Sequence, residues 1–210
     1  MTRGRVTKCW IPVALTLLCI PALQGCVESL IIGGVATGVI VAADRRQPEV
    51  MFGDQRIEIV ASNRVSDTLA GQGHVNVTSY NHMVLLTGEV PSSQVKAEVE
   101  KISSQVPEVK SIINELQIAG ASSIASRSND SYITSKVKSN FVGADKFRPT
   151  SVKVVTEAGV VYLLGLVSRE EADAATDIAR GTGGVQKVVR VFEYIIPAQT
   201  PQVTPPAPKK

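Results

Sequence analysis

Residues 83–90 are MVLLTGEV, and the same pattern returns 77 positions later as VVYLLGLV at residues 160–167. The match continues on the N-terminal side, where HVNV at 74–77 corresponds to SVKV at 151–154. After a deletion of one residue, VKSII at 109–113 also corresponds to VQKVV at 185–189. Similarity in the same order at a fixed spacing indicates a duplicated structural unit, so the sequence predicts two copies of one fold, each of about 70 residues.

Each copy has the pattern helix, strand, strand, helix, strand. Val75 and Val77 alternate with polar residues, as in a half-buried strand, whereas the second strand is apolar without alternation, as in a covered central strand. A helical crossover then joins the second strand to a parallel third strand. We predict an α+β fold of two tandem αββαβ sandwiches, each a three-stranded mixed sheet with helices packed on one face. Because a core of about 70 residues without disulfides is marginal, we expect the two copies to pack on each other.

Residues 1–25 have the layout of a secretory signal peptide. Three basic residues precede an apolar stretch, Trp10–Leu23, which is too short and too interrupted by proline for a membrane-spanning helix. The stretch ends in LQGC, which resembles the bacterial lipobox, in which the chain is cut before the cysteine and the cysteine is lipidated. An ordinary signal peptide followed by an incidental Cys26 is the alternative interpretation. By the same resemblance, Val27 in place of an aspartate implies sorting to the outer membrane.

Cleavage before Cys26 changes the charge and the redox chemistry of the chain. It removes three of the 22 basic residues and none of the 19 acidic ones, so the mature chain has no net charge. The other two cysteines are also removed, which leaves no disulfide. Since bulk electrostatic attraction drives most nucleic-acid binding, we expect no nucleic-acid partner.

The mature chain divides at changes of composition. Residues 26–47 contain the lipidated cysteine and the apolar, glycine-containing run Leu30–Ala43, which is either a flexible tether or a strip lying on the membrane surface. The rest is predicted to be a first domain, a linker, a second domain and a disordered proline-rich tail, at residues 48–118, 119–128, 129–196 and 197–210.

The αββαβ order, the two copies and the glycines that close the second strands, Gly88 and Gly165, resemble the BON domain. The resemblance covers roughly residues 50–196, which is nearly all of the predicted folded part. A lipobox followed by two such domains is similar to the dual-BON outer-membrane lipoproteins. This resemblance implies a lipid anchor on Cys26, a location on the outer membrane facing the periplasm, binding of anionic phospholipid and a role in envelope integrity. It implies a structural role for the two glycines.

The sequence has no catalytic signature. Its two histidines, His74 and His82, are both in the first copy, and the matching positions of the second copy are Ser151 and Gly159. They lack metal-ligand spacing, and neither a nucleophile elbow nor a phosphate-binding loop is present. We therefore expect a non-enzymatic protein without metal, cofactor or small-molecule substrate. A small hydrolase that depends on His74 or His82 is the least favoured hypothesis.

Charge distinguishes the two copies. Residues 44–118 contain seven basic and ten acidic side chains, whereas residues 119–196 contain ten basic and eight acidic ones. An anionic bilayer would therefore attract the second copy. In the first copy, the positions that correspond to the basic patch of the second copy, described below, are acidic, namely Asp54 and Glu58. We therefore expect the first copy to be structural or to bind a protein.

The predicted helix 131–142 offers a candidate lipid-binding face. Ile133, Val137 and Phe141, at spacings of four, form its core stripe. The opposite side carries an aromatic, an aliphatic, two lysines and two serines, which suits a membrane interface: Tyr132, Ser135, Lys136, Lys138, Ser139 and Val142. Lys146 and Arg148 in the next loop would extend the basic patch.

Two alternatives stay open for this region. Tyr132 could pack against the other copy, with the lysines forming a solvated helix face. The whole protein could instead be a periplasmic scaffold that binds an envelope-assembly or cell-wall remodelling partner.

Overall fold

The computed structural model describes residues 44–195. The predicted signal peptide, Cys26, the run Leu30–Ala43 and the predicted tail lie outside the described residues. Across the described part of the chain, no helix has the length and hydrophobicity needed to cross a membrane.

The first domain begins with helix α1 (Pro48–Leu69), followed by the antiparallel hairpin of β1 (His74–Tyr80) and β2 (Met83–Val90). Helix α2 (Ser93–Ser104) crosses over to a third strand that runs parallel to β2. This third strand is interrupted at Glu115 and Leu116, so it consists of β3 (Ser111–Asn114) and β4 (Gln117–Ile118), both paired with β2.

The second domain repeats this order. Helix α3 (Ile124–Ala144) leads through a short 3-10 turn to the hairpin of β5 (Val152–Glu157) and β6 (Val160–Val167). Helix α4 (Arg169–Arg180) then crosses over to β7 (Lys187–Tyr194), which pairs with β6 in parallel along its whole length. The predicted α+β fold with two mixed sheets is confirmed.

Helix α3 starts earlier than the sequence pattern indicates. Its first turn begins at Ile124, inside the segment 119–128 that was expected to be a linker. Ser123 caps the helix, because its side chain accepts a hydrogen bond from the N–H of Ser126 at 3.1 Å. The turns before Ile133 have no repeating apolar stripe, so hydrophobic periodicity could not place this boundary.

Gly88 and Gly165 occupy equivalent crowded positions on the central strands. A Cβ on Gly88, whose φ is +115°, would collide with the carbonyl oxygen of His74. A Cβ on Gly165 would lie 2.6 Å from the carbonyl oxygen of Ser151. Glycine at both positions therefore allows the first and second strands of each sheet to approach.

Each domain has its own core between helices and sheet. In the first domain, Ile57 and Val65 of α1 and Val99 of α2 pack on β2. In the second domain, the predicted stripe of α3 packs with β6 and with Ala172 and Ala175 of α4. The three stripe residues of α3 are at most 1% exposed, which confirms the predicted core face of this helix.

A third core joins the two domains. Tyr80 and Leu85 of the first sheet form one buried cluster with Tyr162, Leu164 and Val191 of the second. These residues alternate along their strands with those that face the helices, so the sheets pack together through their helix-free faces. The expectation that the two copies pack on each other is confirmed.

Candidate functional site

Helix α3 presents the predicted lipid-binding residues on its outward face. Since Ile133, Val137 and Phe141 are buried against the sheet, the opposite side of the helix is turned away from the core. Tyr132 is 63% exposed and Val142 is 70% exposed. The remaining exposed members are Ser135, Lys138 and Ser139.

Lys136 is held in place more firmly than a surface lysine. Its Nζ donates a hydrogen bond of 2.6 Å to the carbonyl oxygen of Gly183, in the loop between α4 and β7. The same Nζ lies 5.4 Å from the centroid of the Tyr132 ring, within the range of a cation–π contact. The ammonium group therefore lies beside an exposed aromatic ring, an arrangement that could present charge and ring together to an anionic interface.

The alternative that Tyr132 packs against the first domain is wrong. The tyrosines buried between the domains are Tyr80 and Tyr162, which are 1% and 4% exposed. The Tyr80 hydroxyl also accepts a hydrogen bond from the N–H of Leu166 at 3.2 Å. Burial raises the pKa of Tyr162 to about 12, with smaller contributions from Glu115 and Glu157.

Asp130 fixes the start of the outward face of α3. Its carboxylate accepts hydrogen bonds from the N–H groups of Ala158 and Gly159, at 2.9 and 2.8 Å. Both N–H groups belong to the tight turn between β5 and β6, where Ala158 and Gly159 have positive φ. Because Asp130 precedes Tyr132 by two residues, these bonds join the turn to the helix next to the candidate site.

The first domain has the same device. Asp54, one of the two acidic positions behind the expectation of a structural or protein-binding first copy, is 4% exposed and accepts hydrogen bonds from the N–H groups of Asn81 and His82 at 2.8 and 2.7 Å. Asp54 and Asp130 are 76 positions apart, one less than the offset of 77 that relates the strands after them. That shared spacing is a signal by which the pair could have been found.

Glu58 is likewise part of the structure rather than a free acidic surface. One of its carboxylate oxygens accepts hydrogen bonds from the N–H of Ser79 and from the Nζ of Lys153, both at 2.7 Å. Lys153 belongs to the second domain, so Glu58 helps to join the domains.

The segment before α1 is bound at the contact between the two domains. Arg45 donates two hydrogen bonds of 2.6 Å to the carboxylate of Glu171 and one of 3.0 Å to the carbonyl oxygen of Leu166. Arg46 pairs with Asp54 at 2.7 Å and lies 3.9 Å from the centroid of the Tyr80 ring. These residues fall within 26–47, which was expected to be a tether, so its last residues are part of the fold.

The histidines are not arranged as a catalytic pair. His74 Nδ1 lies 3.1 Å from the guanidinium of Arg127, and burial, followed by this positive charge, lowers the pKa of His74. His82 has a buried Nδ1 without a hydrogen-bond partner, 4.0 Å from a carboxylate oxygen of Glu108. Within residues 44–195, no cluster of three or more His, Cys, Asp or Glu side chains could hold a metal ion.

One buried carboxylate lies between the domains. Glu157 is 5% exposed and accepts a hydrogen bond of 2.7 Å from the amide of Asn76. Burial raises the pKa of Glu157, the bond from Asn76 opposes this rise, and the nearby charges of Glu89 and Asp130 add to it.

Comparison with known proteins connects this geometry to a family. The model of the family described as BON domain matches residues 54–120 and 129–195. The chain is 40% identical over 175 residues to outer membrane lipoprotein DolP of Haemophilus influenzae, covering 82% of this chain and 90% of that protein. It is 35% identical over 139 residues to the 21 kDa hemolysin of Actinobacillus pleuropneumoniae, covering 66% of this chain and 72% of that protein. Osmotically-inducible protein Y of Escherichia coli is 32% identical over 117 residues, covering 54% of this chain and 58% of that protein.

Proposed function

The chain belongs to the BON-domain family, and from this membership we propose that it binds anionic phospholipid through its second domain and thereby supports the integrity of the cell envelope. With 40% identity to an outer-membrane lipoprotein across most of both chains, it is an outer-membrane lipoprotein of this family. We propose that Cys26 carries the lipid, that the folded part faces the periplasm, and that the protein acts by binding rather than by catalysis.

The observation that carries this proposal is the outward face of α3. Tyr132 and Val142 are both more than 60% exposed, although they belong to a helix whose opposite side is fully buried. Large exposed apolar side chains bracketed by lysines are typical of helices that lie in a membrane interface. Lys136 and Lys138 would approach the phosphates, at about 1 kcal/mol for each basic residue that reaches the headgroups.

Charge supports the choice of the second domain. It carries two more basic than acidic residues, whereas the first carries three more acidic than basic ones. Several acidic groups of the first domain are used in its own hydrogen bonds, but their charge still disfavours an anionic surface. A lipid anchor on Cys26 and a basic face on α3 would together supply the two signals that stable membrane attachment requires.

Vesicle co-sedimentation of the mature chain carrying Cys26→Ala tests this proposal without the anchor. We expect binding to vesicles that contain phosphatidylglycerol and little binding to phosphatidylcholine vesicles. Tyr132→Ser with Val142→Ser should abolish most of the binding, because it removes the apolar side chains of the outward face. Since neither side chain is buried, the fold should be unaffected. Lys138→Glu should weaken it by about tenfold or more, because about 1 kcal/mol is lost and a repulsion is added. Lys101→Glu on α2 makes the same charge change in the first domain and serves as the control.

Lys136→Glu is a less direct test. Because Lys136 binds the carbonyl oxygen of Gly183, its replacement also disturbs the loop between α4 and β7. Equal binding to both lipids, or equal effects of Lys138→Glu and Lys101→Glu, would overturn the proposal.

A second candidate function is that of a protein-interaction scaffold, and one observation favours it. Phe52 and Ile59 on α1 are 62% and 56% exposed, and they lie two turns apart on one side of the helix. Photo-crosslinking in cells from position 52 or 59 would favour this function if it captured one defined envelope protein. Position 67, an exposed polar site on the same helix, is the control.

A further inference from the structure

The end of β7 carries a second exposed aromatic residue of the second domain. Tyr194 and the following Ile195 are 42% and 38% exposed. The guanidinium carbon of Arg169 lies 5.0 Å from the centroid of the Tyr194 ring. An aromatic ring, an aliphatic side chain and a cation thus lie together at one end of the sheet, away from the central part of α3.

The topology places this group beside the end of α3. β6 and β7 are parallel, with Val167 opposite Tyr194, so both strands finish at the same end of the sheet. β5 is antiparallel to β6 and begins there, with Val152 opposite Gly165. The loop that leads from α3 into β5, and that contains Lys146 and Arg148, must therefore lie at this end too. We call this surface the tether end and define it by residues 143–151, 166–171 and 194–195.

The chain that comes from the predicted lipid anchor enters the fold at the tether end. Arg45 is bound there by the carbonyl oxygen of Leu166 and by both carboxylate oxygens of Glu171. The hydrogen bonds from Arg45 lower the pKa of Glu171, and the nearby charge of Arg148 lowers it further. The apolar run Leu30–Ala43 ends directly before Asp44, so the least polar part of the mature chain leads to this end of the domain.

The charge of the tether end is compatible with a lipid surface. Its basic residues, together with Arg45, number four, and its acidic residues number three, namely Asp145, Glu170 and Glu171. Glu171 is already neutralised by Arg45, which leaves Lys146, Arg148 and Arg169 opposed by two carboxylates. Guanidinium groups bind phosphate oxygens with paired hydrogen bonds, and tyrosine rings favour the depth of the headgroups.

We propose that the tether end is a second membrane-contacting surface, at which Tyr194 and Ile195 enter the headgroup region of an anionic phospholipid bilayer while Arg169 binds its phosphates. This inference rests on the proposed function, because it takes the same bilayer as its ligand, but it uses residues that are not on the outward face of α3. Contact at both surfaces would orient the second domain with its tether end toward the bilayer.

The first domain contains a matched position without this chemistry. Ile118 at the end of β4 pairs with Val90 as Tyr194 pairs with Val167, and it is 59% exposed. The residue that corresponds to Arg169, directly after the serine that caps the helix, is Ser93. At the matched positions the first domain therefore has an isoleucine in place of Tyr194 and a serine in place of Arg169, which makes Ile118 an internal control.

Single-tryptophan fluorescence tests the inference on the lipidated mature protein. The only tryptophan of the sequence is Trp10, in the predicted signal peptide, so Tyr194→Trp, Tyr132→Trp and Ile118→Trp each introduce one probe. The variants are reconstituted on vesicles of phosphatidylglycerol and phosphatidylcholine, or of phosphatidylcholine alone, with and without brominated acyl chains. Circular dichroism establishes that each variant is folded.

We expect a blue shift of the emission and quenching by the brominated lipid for the probe at position 194, larger with phosphatidylglycerol, and neither effect at position 118. A response at 132 without one at 194 would overturn this inference and leave the proposed function intact. A response at 194 without one at 132 would support the inference and remove the α3 face from the proposed function. No response at either 132 or 194 would overturn both the inference and the proposed function. A response at 118 equal to that at 194 would show contact without selectivity and would overturn the inference.

Discussion

Asp130→Ala should destabilise the second domain, because it removes the acceptor of two backbone N–H groups in the turn between β5 and β6. The carboxylate is 4% exposed, and its bonds to Ala158 and Gly159 are 2.9 and 2.8 Å long. A buried donor left without a partner costs about 1–3 kcal/mol. One of these two donors is buried and the other partly buried, so we expect a total loss of about 2–4 kcal/mol in the free energy of unfolding.

Asp130→Asn separates the two bonds. Its amide oxygen can still accept from one N–H, while its NH₂ group is turned toward the other donor, so the loss should be about half as large. Urea unfolding followed by circular dichroism gives both values, provided that the slope of the transition is unchanged between variants. The control is Asp177→Ala, whose carboxylate is 77% exposed and lies 3.8 Å from Arg180. It should change stability by no more than about 0.5 kcal/mol.

A loss for Asp130→Ala as small as that of the control would refute this reasoning. It would mean that water or a shifted turn satisfies the two N–H groups, so that the carboxylate does not hold the hairpin. Asp54→Ala provides an independent check in the first domain. It removes the acceptor of two backbone N–H groups and of the Ser79 hydroxyl, and it also removes the ion pair with Arg46.

Three further predictions concern the glycines, the buried glutamate and the anchored arginine. Gly88→Ala should lower the free energy of unfolding by about 3 kcal/mol or more, because it combines a strained φ with a collision against the carbonyl oxygen of His74. Gly120→Ala, with open space around its Cβ, is the control and should be nearly neutral in the same urea titration. Glu157→Gln should raise the thermal midpoint at pH 7. Burial raises the pKa of Glu157 in the folded state, so the stability that depends on its proton is present below the unfolded pKa of about 4.3 and is lost as pH rises through the folded pKa. The increase in thermal midpoint caused by Glu157→Gln should therefore vanish at low pH. An increase that persists there would contradict this reasoning. Arg45→Ala should lower the free energy of unfolding by about 1–2 kcal/mol, since the bonds of Arg45 to Glu171 are charge-assisted but partly exposed. A double-mutant cycle with Glu171→Gln that gave no coupling energy would argue against this pairing.

Much of the fold could be predicted because it depends on local patterns. The buried central strands and the stripe of Ile133, Val137 and Phe141 follow the periodicities of strand and helix, and the structure places them in the cores as expected. The capping box at the start of α4 is a feature of the same local kind, because Ser168 and Glu171 lie within four consecutive residues. The start of α3 was missed because its first turns are polar and are held by a single serine cap.

The polar contacts were much less accessible to sequence reasoning. Acidic side chains are usually exposed, and nothing in the neighbouring sequence indicates that Asp54 is buried. Its burial depends on the turn between β1 and β2, which lies 27 residues away and directs two N–H groups at the carboxylate. Lys136 was correctly placed near Tyr132, but its bond to Gly183 joins residues 47 positions apart, and nothing in the helix itself indicates it.

By itself, the sequence determined the duplicated αββαβ units and the core side of α3, and with it the outward side that carries Tyr132 and Val142. Periodicity is sufficient for this, because the direction of a side chain on a helix or strand depends on local geometry alone. Only the tertiary structure decided that Asp54 and Asp130 hold the hairpin turns, that Arg45 binds Leu166 and Glu171, and that the two copies pack through the helix-free faces of their sheets. Each of these features depends on which distant groups the fold brings within hydrogen-bond or van der Waals distance, and a side chain's neighbours in sequence do not specify its partner in space.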